Sequence, residues 1–285
     1  MKASHLITLA MTSAVAVAGC DQLSGSLERD ERNQQVGYRT GTAADDYRSN
    51  GERGNFQITE VHWAGSVKGD LTMSRPSRVY DPDDDFIELQ NKHNRAMFVT
   101  GWLLTIETGN DSDGLTEGGS RQKPWARTYV IPAREDNRPI EPNQFLVIAN
   151  KRDGAFADAD IFIEGLALPE APFSITLRDL DERLIDGAGD ERKRPFAGGY
   201  DLVSARSMER IQLIFNNRGN REAAWHSYAL NDPFPGLPSP DPEAAALHVS
   251  LRRRIAEEFR PLTFATPGMP NSPDYSGFVS SGDFQ

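Results

Sequence analysis

The sequence holds one cysteine, Cys20, among 285 residues. A single cysteine excludes an internal disulfide and a cysteine-based zinc site. Apolar content is low, at 38% hydrophobic residues, and a chain that spans a membrane several times needs about 20 consecutive apolar residues per helix. Positive charge is in deficit: Lys and Arg total 31 against 42 Asp and Glu, for a formal net charge of −11. A field of that sign repels phosphate backbones, so no nucleic acid is expected as the main partner. Beyond the leader, the histidines are His62, His93, His226 and His248, and none stands in an H-E-x-x-H or H-x-H spacing. Neither a G-x-S-x-G elbow nor a P-loop is present. No cofactor is therefore expected. What the chain does have is 24 Gly and 18 Pro, which favours a turn-rich β protein over a helical bundle.

The amino terminus reads as an address. Lys2 supplies a minimal positive charge, and Leu6 to Ala18 is apolar apart from Thr8, Thr12 and Ser13. That run fits a signal h-region and is too short to cross a bilayer. It ends in Val17-Ala18-Gly19-Cys20, which resembles the lipobox of bacterial lipoproteins. The resemblance implies removal of residues 1–19 and acylation of Cys20, hence a lipid-anchored protein of the bacterial cell envelope. Several acyl chains anchor stably where one does not. Asp21 resembles the signal that retains some lipoproteins at the inner membrane. An ordinary secretory signal is the bland alternative.

Residues 20–55 carry no apolar period and are expected to form a disordered tether after the lipidated cysteine. From Phe56 the pattern changes to short strands. Phe56 and Ile58 alternate, and Val61 and Trp63 alternate in the shifted register, which predicts a bulge near Thr59–Glu60. Trp102, Leu104 and Ile106 share one strand face. Further runs lie at 86–89, 128–131, 145–149, 161–163, 173–177, 184–185 and 211–215, separated by turn residues such as Pro142, Asp153-Gly154 and Asp186-Gly187. Many short strands punctuated in this way predict a β-sandwich. One helix is expected over about 242–259: Asp241 caps it, Pro242 opens it and Pro261 stops it. Its apolar stripe is Ala244, Leu247, His248, Leu251, Ile255 and Phe259. Residues 273–285 read as a flexible tail.

The order of short motifs resembles a known family. It runs Ile58-Thr59-Glu60-Val61, then 85–91 (DFIELQN), Gly101-Trp102-Leu103-Leu104, 145–148 (FLVI), 175–177 with Ile185-Asp186, 207–211 (SMERI), Trp225-His226 and 266–272 (TPGMPNS). This succession is similar to the lamin tail domain of secreted bacterial proteins over 56–272. The resemblance implies an all-β, immunoglobulin-like β-sandwich, here with one inserted α-helix near the C-terminus. It also implies no catalytic residues, and partners such as an envelope protein or polysaccharide, with the membrane reached through the lipid.

Several constellations invite chemistry. Asp81, Asp83, Asp84 and Asp85 resemble calcium ligands, but an EF-hand loop from Asp81 would need Gly and Glu where Phe86 and Lys92 stand. A solvated acidic turn is the alternative. Asp111 and Asp113 make a second acidic turn. Trp125, beside Pro124, is the candidate for an exposed binding aromatic, next to the polar loop 109–124. Glu88 and Arg210 interrupt apolar runs and are expected to be buried, paired with each other or satisfied separately. The expected function is that of a non-catalytic binding or structural module. The alternative is an envelope hydrolase that uses carboxylates or calcium.

Overall fold

Alternation of apolar and polar residues sets the local structure. The computed structural model describes residues 53–69, 78–109, 124–211, 218–229 and 242–273. The expected leader at 1–19, Cys20, most of the expected tether, the greater part of the loop 109–124, residues 212–215, Asp241 and most of the expected tail lie outside the described residues. Among the described residues the strands are β1 (Phe56–His62), β2 (Ser66–Lys68), β3 (Val79–Asp81), β4 (Phe86–Asn91) and β5 (Leu103–Thr108). They continue with β6 (Ala126–Val130), β7 (Phe145–Ala149), β8 (Ile161–Phe162), β9 (Phe173–Arg178) and β10 (Leu184–Gly189). β11 (Gly199–Tyr200), β12 (Ala205–Arg206), β13 (Met208–Arg210) and β14 (Trp225–Ser227) precede the helix α1 (Pro242–Leu251), and β15 (Thr263–Phe264) follows it.

The architecture is all-β with one helix. A six-stranded sheet runs β14-β13-β1-β4-β7-β8, and a four-stranded sheet runs β10-β9-β5-β6. Two smaller sheets are β11-β12-β15 and β2-β3. The expected bulge in β1 is present: its register against β4 shifts between Ile58 and Glu60. β9 shows why the sequence forms strands. Phe173, Ile175 and Leu177 are buried, while Ser174, Thr176 and Arg178 alternate with them.

Both large sheets contribute to one hydrophobic cluster. Phe56, Ile58, Leu89 and Ile148 come from the first sheet, and Leu104, Ile106, Ile175 and Leu177 from the second. Trp102 is only 1% exposed. It meets Phe56 edge-on, with ring centroids 5.2 Å apart.

The six-stranded sheet is buried on its other face as well. Every residue of β4 is buried. Ile87 and Leu89 enter the main cluster, whereas Phe86 joins a second one with Phe156, Ile255, Phe259 and Ala265. The segment after α1 thus supplies apolar cover for this second face. A charged residue on that face can be buried only if it finds hydrogen-bond partners.

The helix is shorter than its stripe predicts. It ends at Leu251, and 252–262 continues as turns. The first residue past it is Arg252, which is 4% exposed. Its guanidinium donates to the carbonyls of Arg260 and Thr263 and lies 5.0 Å from the Phe264 ring centroid. Arg254 is drawn to Asp158 and Asp160 in the same stretch. The expected stripe is therefore divided: Leu251 packs with Tyr228 and Phe264, while Ile255 and Phe259 pack with Phe86. Leu247, placed in the stripe, is 38% exposed.

Candidate functional site

Three glutamates converge on the second face of the six-stranded sheet. Glu60 on β1 lies opposite Glu88 on β4 and opposite Glu209 on β13. All three are 0% exposed. They hold the segment 266–272. Glu60 accepts the Thr266 N–H at 2.9 Å, and Glu88 accepts the Gly268 N–H at 2.7 Å and the Thr59 hydroxyl at 2.6 Å. Glu209 accepts the Ser272 N–H at 3.0 Å and also contacts the Ser272 hydroxyl. Asn271 completes the clasp by donating to the carbonyls of Thr59 and Arg210. Gly268 has a φ of +73°. That left-handed backbone favours glycine, and a Cβ there would also displace the Arg254 side chain.

Burial dominates the electrostatics of this cluster. Loss of solvent pushes the Glu60 carboxyl up to about 7 from 4.5. Glu88 and Glu209 are raised well above the ordinary range, first by burial and then by the charge of Glu60. His62, on the same strand as Glu60, is also fully buried. Its ring stacks on Phe86 at 5.6 Å, and its Nε2 lies 2.6 Å from the Gly65 carbonyl. Burial lowers its pKa to about 4, so the ring is neutral at pH 7.

The aspartates near β4 take separate partners. Asp81 pairs with Lys151, and the Asp83 N–H donates to Asp81 Oδ1 at 3.2 Å. Asp84 accepts from the Ser66 hydroxyl at 2.5 Å and from the Ala155 N–H at 2.7 Å. Gly154 permits that approach, because a Cβ there would meet Asp84 Oδ1 at 2.2 Å. Asp85 is 2% exposed and accepts the Leu168 N–H at 3.2 Å. Burial raises both the Asp84 and the Asp85 carboxyl. Among the described residues, no group of three His, Cys, Asp or Glu is placed to hold a metal ion.

Trp125 departs from its expected exposure. It is half-buried against the main cluster. Its ring faces the Arg127 guanidinium at 4.7 Å, and its backbone N–H donates to Thr108 Oγ1 at 2.9 Å. Glu88 and Arg210 are both buried as expected, but they do not pair with each other. Arg210 forms its ion pair with Asp186, which also accepts the Ile58 N–H at 2.9 Å. Asp186 on β10 thus reaches across to both the β1 backbone and Arg210.

A cleft opens beside that ion pair. Its volume is about 700 Å³, and it runs along β9 and β10 beneath the turn 218–220. Gly219 seats the turn: its carbonyl accepts the Gly189 N–H at 3.0 Å and the Trp225 indole N–H at 2.7 Å. Arg53, Lys92 and Arg218 line the cleft and are exposed. Sequence reading missed this cleft because its residues come from seven separate stretches that only the fold brings together. No protein-family model matches the chain, and no curated protein matches it either.

Proposed function

We propose that this chain is a lipid-anchored protein of the bacterial cell envelope whose folded part is a non-catalytic, lamin-tail-like module of immunoglobulin-like β-sandwich form, binding an envelope protein or polymer. The anchoring rests on the sequence Val17-Ala18-Gly19-Cys20. Two sheets that share one core support the sandwich form. The family-like motifs meet in space. Glu60, Glu88 and Glu209, each inside a motif, grip 266–272, which is itself the closing motif.

One observation carries the non-catalytic reading. The three carboxylates that converge as a hydrolase would require are sealed beneath 266–272, each with a hydrogen-bond partner in that segment. A glycosidase needs its carboxylates open to a cleft that admits the sugar. Of the two envelope membranes, Asp21 favours the inner one over the outer.

The test is phase partition of the natural protein and of Cys20→Ala. The natural protein should enter the detergent phase with diacylglycerol on the Cys20 sulfur, found by mass spectrometry of the N-terminal peptide. Full partition of Cys20→Ala into detergent would end the lipoprotein reading.

A further inference from the structure

The cleft along β9 and β10 carries a charge opposite to that of the whole chain. Of its cations, Arg210 is taken up by Asp186, and Arg192 by Asp190 and Glu191. Arg53, Lys92 and Arg218 have no carboxylate partner among the described residues. Glu107 is the one lining acid outside those pairs. The balance is positive in a protein of net charge −11. Partial desolvation and then the nearby Arg210 charge lower the pKa of the Lys92 amine, as expected where positive charge lacks a counter-ion.

Between apolar residues such as Leu184 and Ile211, the lining also offers uncommitted polar side chains. Gln57, Ser174, Thr176 and Asn220 all face the cleft. None of their side chains bonds to another described side chain. Ser174 and Thr176 are presented by the alternation of β9, whose Phe173, Ile175 and Leu177 point into the core. The floor is therefore rigid strand. A volume near 700 Å³ lies within the ~300–1,000 Å³ of small-molecule sites.

Resting on the reading of the chain as a binding module, we infer that this cleft binds a phosphorylated polyol or sugar. Arg53, Lys92 and Arg218 take the phosphate, and Gln57, Ser174, Thr176 and Asn220 take the hydroxyls. Arginine suits this role because its planar fork matches phosphate oxygens. The same chemistry is offered by a free sugar phosphate and by the glycerophosphate head of an anionic lipid.

Calorimetric titration of the full chain in neutral detergent micelles tests it. The probes are glycerol 3-phosphate, glycerol, and micelles doped with phosphatidylglycerol or phosphatidylcholine. Glycerol 3-phosphate should bind and glycerol should not. The double variant Lys92→Ala/Arg218→Ala should bind about tenfold more weakly or worse. Arg127→Ala, whose guanidinium covers Trp125, should bind as the natural protein does. Both altered sites are exposed, so melting curves should coincide. Binding of phosphatidylglycerol micelles alone, with the same dependence on Lys92 and Arg218, assigns the lipid head as source and upholds the phosphate site. The inference fails if neither phosphate probe binds, or if the double variant binds as tightly as the natural chain. Failure of the anchoring experiment on Cys20→Ala leaves this titration unaffected, so the two readings fall separately.

Discussion

Glu60 and Glu209 face each other on neighbouring strands, and a single hydroxyl bridges them: Thr266 Oγ1 lies 3.0 Å from an oxygen of each. A hydroxyl has one proton to donate. It can donate fully to one carboxylate, and a carboxyl proton on the other would complete the bridge. Burial, which raises the pKa of both acids, favours that neutral form. Two ionised carboxylates directly opposite would instead repel.

Stability should fall as pH rises. A carboxyl raised from 4.5 to about 7, as Glu60 is, contributes stability that is complete below pH 4.5 and is lost as pH climbs through 7. At ~1.4 kcal/mol per unit, the loss from Glu60 is on the order of 3 kcal/mol. Glu88 and Glu209 move in the same direction and extend the loss to higher pH. His62 works in reverse: its pKa falls from 6.5 to about 4, so its contribution is present above 6.5 and lost as pH falls toward 4. Three acids outweigh one imidazole. Urea midpoints measured from about pH 5 to 8 should decline, and Glu60→Gln should flatten that decline. A midpoint that rises steadily across the range would contradict the protonated cluster.

Thr266→Val keeps the shape of the side chain and removes the bridge. Leaving buried carboxyl oxygens unpaired costs about 1–3 kcal/mol. The expected readout is a lower melting temperature together with faster proteolytic cleavage near 266–272. Unchanged cleavage would mean that the segment is held by its apolar neighbours alone.

Arg210 and Asp186 should be strongly coupled. Removing one member of a buried pair costs about 3–5 kcal/mol. A double-mutant cycle on Arg210→Ala and Asp186→Ala should give a clear coupling energy, whereas the same cycle on Arg210 and Glu88 should give one near zero. The reverse pattern would overturn the partner assignment.

Trp102→Ala should cost about 3–5 kcal/mol, because the indole is fully enclosed beside Phe56. A normal thermal melt for this variant would be incompatible with the packing described.

The sequence shows how far local pattern reaches. The strands 145–149 and 173–177, the bulge after Ile58 and the burial of Trp102 all follow from side-chain period, because one core face imposes it. The end of α1 did not follow, because the stretch beyond it is held by contacts distant in sequence, such as those of Arg252 with the carbonyls of Arg260 and Thr263. The partner of Arg210 was equally hidden. Asp186 and Glu88 are both acids within strands, and only the tertiary approach of β10 to β1 decides between them. The glutamate cluster was half legible: Glu88 was marked as buried, but its convergence with Glu60 and Glu209 needs the strand order β13-β1-β4.

The glutamate clasp also bears on the order of events when the chain is made. Glu60 and Glu88 find their Thr266 and Gly268 partners 206 and 180 residues further on. Until 266–272 has been synthesised, β1 and β4 present carboxylates to water, and ionised carboxylates resist burial. Early pairing of these strands is thereby held open, since contacts so distant in sequence form late and slowly. A chain that stops short of Thr266 lacks the partners that 266–272 gives to all three glutamates, and its central sheet would have to bury carboxylates without them.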